Sequence, residues 1–361
     1  MFRTLLISLC LALPMALPSS AGAALPGGFV GITSEDTFSG HSAYMKANFA
    51  AQHRAGVRLL RQTFNWSQVE YRPGAYDWSA QDRLVLTASR KGIAVLPLLF
   101  DPPAWHSSRP AVGAARGTYP PSNPASMARF AAAAVKRYGP RGSLWRENPR
   151  VPKRPLRAWQ VWNEPTLPVY WGGRPDARAY VRLLEAVNGA IKRLDRGAEV
   201  VTAGLPPSKL RGSVPLLHYI RQIYRAGGAR FFDTLAVNSY ARDARELGGL
   251  LVDVRRAMNR SGDRRARIWI TELGWCDNGP AHRFCVGSAN QARLTRGSIG
   301  LIRRNRKRLK LRGFVYYSWR DATPYAPDYR DMWGLHTGLV QLDGRPKPAL
   351  LEFIRALRGL R

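Results

Sequence analysis

Two glutamates in this chain stand where a buried strand gives out. The stretch Trp159-Gln160-Val161-Trp162-Asn163-Glu164-Pro165 reads as a short apolar strand, from Pro155 to Val161, that stops at Asn163-Glu164-Pro165. Pro165 lacks a backbone donor and disfavours helical geometry for Glu164. Much later, Ile268-Trp269-Ile270-Thr271-Glu272-Leu273-Gly274-Trp275 repeats the pattern, a β-branched and aromatic run ending in a glutamate beside glycine and tryptophan. Either carboxylate alone would more often be a structural partner for one of the many arginines. Two of them at two strand ends, each beside tryptophan, suggest a pair in which one carboxyl is protonated and the other ionised. Glycoside hydrolysis is the reaction that most often needs such a pair.

The elements that must bring the pair together follow a simple alternation. Strands are expected at Phe29–Ile32, Gly56–Gln62, Gly92–Leu99, Pro155–Val161, Val200–Gly204, Thr234–Asn238, Ile268–Glu272 and Gly313–Ser318. Helical stretches fall between them: Ser42–Ala55, Ala80–Arg90, Met127–Tyr138, Ala177–Leu194, Val214–Tyr224, Ala241–Asn259 and Ala289–Arg308, with Ala349–Leu357 last. The third strand is nearly all apolar, as a strand covered on both faces should be. Eight strand-then-helix units without a linker predict an α/β fold, a single (β/α)₈ barrel over residues 24–361. A doubly wound open sheet is the competitor, but it calls for a glycine-rich turn after the first strand, and Thr33-Ser34-Glu35-Asp36 is not one. In a parallel barrel all strands end on one face, so Glu164 and Glu272 would meet across its mouth.

With 361 residues, 45% of them hydrophobic, the chain has ample material for such a core. Residues 1–23 read as a secretory signal peptide: Arg3, then an apolar run from Thr4 to Leu17, then Ala21-Gly22-Ala23 for cleavage. That run is too short to span a bilayer, and no later segment is long and apolar enough. Cys10 between Leu9 and Leu11 lacks the small neighbours a lipid-modified cysteine would have. The expectation is a secreted protein, extracellular or in the cell envelope, working as a monomer. In an exported protein Cys276 and Cys285, nine residues apart in a Gly/Pro/Asn loop, fit a local disulfide. Free thiols or half a metal site are the alternatives, and no second cysteine pair exists to complete the latter.

The two glutamate motifs together resemble the clan A glycoside hydrolases, retaining enzymes with the acid/base on the fourth strand and the nucleophile on the seventh. Phe64-Asn65-Trp66-Ser67-Gln68-Val69-Glu70 and Gly74-Ala75-Tyr76-Asp77-Trp78 are similar to the segment after the second strand in families 39 and 42. Pro102-Pro103-Ala104-Trp105 and the stretch from Gly338-Leu339-Val340 to Lys347-Pro348 are similar too, and family 5 shares the general pattern. The resemblance implies a β-glycosidase acting on a poly- or oligosaccharide, with Glu164 as acid/base and Glu272 as nucleophile. It further implies that Asn163 bonds the sugar 2-hydroxyl, Arg61 holds Glu272 ionised, Tyr240 touches the nucleophile and Trp319 floors the sugar site. Asn238 is carried over as a substrate contact, although several relatives have histidine about there.

Other residues are weaker candidates. His106 could contact sugar or be a plain loop histidine. Glu35 and Asp36 could bind hydroxyls or cap a helix, and Glu70 and Asp77 are expected to pair with arginines. Trp66, Trp105, Trp171, Trp275 and Trp333 fall on expected mouth loops, where about half would serve as sugar platforms. No His-Glu-x-x-His, no Cys-x-x-Cys pair and no phosphate-cradling loop is present, so no metal or organic cofactor is implied. The net charge of +32 implies attraction to polyanions; a coding bias toward arginine and alanine is the bland account. The densest basic runs, Arg255–Arg267 and Arg303–Arg312, are expected on the barrel's rear face, where they would hold an anionic cell-surface polymer. Nucleic acid is the weaker polyanion, because those runs contain no aromatic residue to stack on bases. A non-catalytic glycan-binding barrel is the remaining alternative to an enzyme.

Overall fold

The computed structural model describes residues 28–36, 41–109, 118–324 and 332–358; the expected signal peptide and part of the long third-strand loop lie outside them. In chain order the described elements are β1 (Val30–Thr33), α1 (Ser42–Arg54), β2 (Leu59–Asn65), α2 (Trp66–Val69), β3 (Glu70–Arg72), β4 (Ala75–Tyr76), α3 (Ser79–Arg90), β5 (Ala94–Phe100), α4 (Pro124–Tyr138) and α5 (Ser143–Glu147). There follow β6 (Ala158–Val161), α6 (Pro168–Trp171), α7 (Ala177–Leu194), β7 (Glu199–Val201), α8 (Leu216–Arg225), β8 (Thr234–Asn238), α9 (Ala244–Arg260), β9 (Arg267–Leu273), α10 (Ser288–Asn305), β10 (Leu311–Tyr316) and α11 (Pro348–Arg358). All strands but β3 and β4 form one closed parallel barrel in the order β1-β10-β9-β8-β7-β6-β5-β2. This is the (β/α)₈ architecture. The fourth barrel strand is β6 and the seventh is β9.

Burial sorts along each strand with the period of two that a pleated strand imposes. On β9, Ile268 and Ile270 join the large core between barrel and helices, while Trp269 joins Leu59, Leu96, Val201, Ala236 and Val315 in a small cluster drawn from six different strands, which fills the barrel interior. The alternation then breaks. Val237 pairs with Ile270, but the next residue of β8, Asn238, pairs with Glu272, so Thr271 is an extra residue in β9. A bulge of this kind re-aims the side chains that follow it. Leu273 accordingly lies in the outer core and Glu272 turns inward at the mouth.

Two local expectations are corrected. The second strand runs Leu59–Asn65 rather than Gly56–Gln62, because Gly56 (φ 97°) and Val57 belong to the turn and the polar Gln62, Thr63 and Asn65 belong to the strand. The hairpin β3–β4 was not expected; it sits in the loop after α2.

Candidate active site

Arg61, near the start of β2 and 3% exposed, organises one half of the mouth. Its Nε donates to Gln160 Oε1 (2.7 Å), Nη1 to Glu272 Oε1 (2.9 Å) and Nη2 to Asn163 Oδ1 (3.1 Å). One guanidinium thus ties the end of β9 to β6 and the residue before Glu164. The other oxygen of Glu272 accepts the Tyr240 hydroxyl at 2.7 Å. Burial, and then the Glu272 carboxylate, push the Tyr240 hydroxyl well above its ordinary pKa, so it stays a donor. A carboxylate has about four lone-pair sites. Here one oxygen is met by a cation and the other by a neutral donor.

Glu164 organises the other half. Its φ of 42° and that of Trp162, 74°, lie in the left-handed region, where side chains other than glycine are strained by about 1–3 kcal/mol each. The α-helical continuation that Pro165 opposes is therefore absent. The Glu164 N–H donates to Gly204 O (3.3 Å) and the Leu167 N–H donates to Glu164 O (3.0 Å), which fixes the turn. Asn238 donates its Nδ2 to Glu164 Oε1 at 2.7 Å, and the Thr271 hydroxyl donates to Asn238 Oδ1 at 2.9 Å. The hydroxyl sets which way the amide faces. Gly204 makes room for this amide, since a Cβ there would run into Asn238 Oδ1. Asn238, expected as a substrate contact, is instead a support for Glu164 and is fully buried.

The remaining expected residues divide. Trp319 follows β10, is 3% exposed and donates its indole N–H to Asn48 Oδ1 (3.0 Å). The His106 ring stacks on Trp66 (4.9 Å between centroids) and its Nε2 lies 3.3 Å from Glu70 Oε1. Among the described residues Glu70 pairs with no arginine. Its partners are His106, the Trp66 indole N–H and the Gly74 N–H (2.6 Å). Asp77 accepts the Ser79 N–H at 2.9 Å. Trp66, Trp171 and Trp275 are core rather than platforms, whereas Trp105 is 46% exposed and Trp333 packs edge-on against Tyr240 (5.0 Å).

Sequence reasoning missed several supports. Thr271, Gly204, Gln160 and Asn48 carry no charge or motif that would single them out. Glu35 is a half-buried third carboxyl near the mouth, accepting from Gln62 Nε2 (2.5 Å) and Thr63 Oγ1 (3.0 Å). Burial raises its pKa against the pull of those donors and Arg61. Asp36 accepts from Tyr44 (2.6 Å), Ser34 (3.0 Å) and Arg320 (3.1 Å). At the rim Cys276 and Cys285 form a disulfide, Cα to Cα 4.4 Å. Beside it the buried Lys347 Nζ sits 2.8 Å from both Asp277 Oδ1 and Asp321 Oδ1, joining the loops after β9 and β10. Among the described residues no cluster of three metal-ligating side chains occurs, and no helix is long and apolar enough to cross a membrane.

No protein-family model matches the chain, and no curated protein matches it in sequence. Solved structures do. A family 39 glycoside hydrolase from the gut symbiont Bacteroides cellulosilyticus superposes with a TM-score of 0.63 at 19% identity, covering 91% of this chain and 63% of that one. A family 39 β-xylosidase from Caulobacter crescentus gives 0.66 at 19%, covering 94% and 72%. A family 1 β-glucosidase from Thermotoga maritima gives 0.64 at 13%, covering 93% and 98%. The likeness is one of fold. The chain thus spans roughly two thirds of the family 39 structures' length, and the resemblance carried by the two glutamate motifs extends to the barrel that holds them.

Proposed function

We propose that this chain is a retaining β-glycosidase, secreted after loss of residues 1–23 and acting on an oligo- or polysaccharide. The observation that carries the reading is the division of labour at the mouth: Arg61 and Tyr240 bond to Glu272, while Glu164 is held by the neutral amide of Asn238. Arg61 gives its bonds to Gln160, Asn163 and Glu272. Arg61 therefore stands beside the carboxyl assigned the attack, and the acid role is assigned to Glu164 at the end of the fourth barrel strand. In the first step Glu272 attacks the anomeric carbon as Glu164 protonates the departing oxygen, giving a glycosyl-enzyme ester. In the second, Glu164 takes a proton from water, which displaces Glu272 and restores both carboxyls. In this reading Asn163, which accepts from Arg61, bonds the sugar 2-hydroxyl, and the indole of Trp319 borders the ring.

The decisive experiment is digestion of a glycan panel, with the product anomer followed by proton NMR. The panel starts from β-xylosides, β-1,4-mannosides and β-glucosides, because neighbours of this fold are described as a β-xylosidase, an exo-β-1,4-mannosidase and a β-glucosidase. It adds acidic polymers. A product that first appears with the substrate's configuration supports the reading. Inversion overturns double displacement, and binding without turnover leaves a glycan-binding barrel.

A further inference from the structure

The basic run from Arg255 to Arg267 does not act as one patch. Arg255 is buried, bonding Ala266 O and Leu309 O, and Arg267 pairs with Glu199 (2.8 Å). Other cations toward the rear are also matched: Arg312 with Glu199, Arg157 with Asp195, Lys192 with Asp233. Arg256 and Arg260 face elsewhere. They line a groove on the barrel's flank between α9 and α8, opposite Arg221 and Arg225 of α8.

That groove is continuous with a second one. The two share Leu217 and Arg221, and the second adds Arg174 and His218 and reaches Ser213 and Val214, just before α8. The Val214 N–H donates to Thr166 O (3.0 Å), two residues past Glu164. The track therefore runs along α8, about 15 Å of helix, from beside the segment that carries Glu164 to Ser261 at the end of α9. Five exposed arginines line it, against one acid: Asp253, which lies 3.5 Å from Arg256. Among the described residues Arg174, Arg221, Arg225 and Arg260 form no ion pair. Arg221 and Arg225, like Arg256 and Arg260, are four apart on one helix face, a spacing at which like charges repel. Two such pairs face each other across an apolar floor of Leu217 and Ala257, an excess of positive charge that an anionic chain lying between them would relieve.

We propose that this track binds an anionic polysaccharide chain, leading from the flank of the barrel to the mouth. Guanidinium forks match carboxylate and sulfate groups. The track's one aromatic residue, Tyr224, is not presented for stacking, since its hydroxyl is bonded to Asp263 (2.8 Å) and its ring packs edge-on against Phe232. That favours a carbohydrate polyanion over a single-stranded nucleic acid, which uses exposed aromatic faces. The affinity is read without turnover, so this inference and the glycosidase reading can fail separately.

The test is affinity electrophoresis of the full chain in polygalacturonate, dextran sulfate and neutral dextran, with single-stranded DNA as a further arm. The Arg221→Glu/Arg225→Glu variant should lose at least about tenfold in affinity for one of the two acidic polysaccharides. A rear-face control with the same change in charge, Lys307→Glu/Arg308→Glu, should lose clearly less. Polygalacturonate alone identifies carboxylate recognition and dextran sulfate alone sulfate recognition; either supports the track. Equal losses in the two variants, loss only in the control, or no loss would overturn it. Wild-type protein binding DNA more tightly than both polysaccharides would overturn the occupant. Should the first variant melt early, Arg256→Glu/Arg260→Glu asks the same question from the facing helix.

Discussion

Glu272 at the mouth and Glu199 at the opposite end of the barrel are nearly equally exposed, 10% and 12% by side chain, and both accept from an arginine and a hydroxyl. Their surroundings make them different groups. Glu199 takes Arg267 (2.8 Å), Arg312 (3.1 Å) and Thr234 (2.5 Å), all from the starts of β8, β9 and β10. Those arginines are 47% and 27% exposed, so the clamp sits half in water and neutralises its glutamate twice over. Among the described residues Glu272 has one cation, itself 4% exposed and shared with Gln160 and Asn163. A carboxylate compensated by several solvated cations staples strands. One compensated once, by a buried cation at the barrel mouth, is the candidate for chemistry.

The sharpest way to break this contrast is at Glu272. Glu272→Gln should lower turnover of every glycoside by about 10⁴-fold or more, since no nucleophile remains. Activity within tenfold of wild type would make Glu272 as structural as Glu199. Glu164→Ala comes next. It should cost about 10²–10⁴-fold on alkyl glycosides but spare attack on dinitrophenyl glycosides, whose leaving group needs no proton. Equal losses on both would remove the distinction between the two mouth carboxyls.

Covalent stiffening is confined to the mouth rim. Breaking it by Cys285→Ser should cost about 2–3 kcal/mol at most by the chain-entropy argument. Substrate affinity should suffer more than the melting point, because the loop borders the site; a fall in melting temperature alone would place the bond with the rear clamp, as fold support only. Glu199→Gln should cost no more than about 1 kcal/mol, because its partners are partly solvated, and should leave turnover unchanged. The smallest effect concerns Glu35. Its folded pKa is raised, so the stabilisation it gives is present below the ordinary carboxyl range and is lost as pH rises through the raised value. Glu35→Gln should therefore gain on wild type in thermal melts toward neutral pH, and the gap should narrow toward acid. A gap that widens toward acid would contradict the sign.

The strands were readable because strands buried on both faces are continuous apolar runs, and β5 (Ala94–Phe100) is the clearest. The boundary of β2 slipped for the converse reason: Gln62, Thr63 and Asn65 look like loop, yet the barrel mouth needs polar side chains inside a strand. Arg61, Asn163 and Tyr240 could be placed by motif, and the structure puts all three within one hydrogen-bond network with Glu272. The role of Asn238 was not legible. A carboxamide at a strand end can serve substrate or a neighbour, and only the Thr271 hydroxyl on its Oδ1 leaves its Nδ2 for Glu164. Tryptophan posed the same difficulty. Trp66, Trp171 and Trp275 have the composition of sugar platforms and the burial of core.

Lys347 has a consequence for how such a barrel can be rebuilt. Its ammonium is shared by Asp277 from the loop after β9 and Asp321 from the loop after β10, with His336 O also in reach at 3.3 Å. Neither loop is exchangeable alone. A chimera that imports a relative's last loop without the lysine would strand Asp277, only 9% exposed by side chain, as an uncompensated charge, at a cost of about 3–5 kcal/mol. The two segments are a single unit of inheritance, and recombination that aims to change the rim on this side of the mouth has to carry them together.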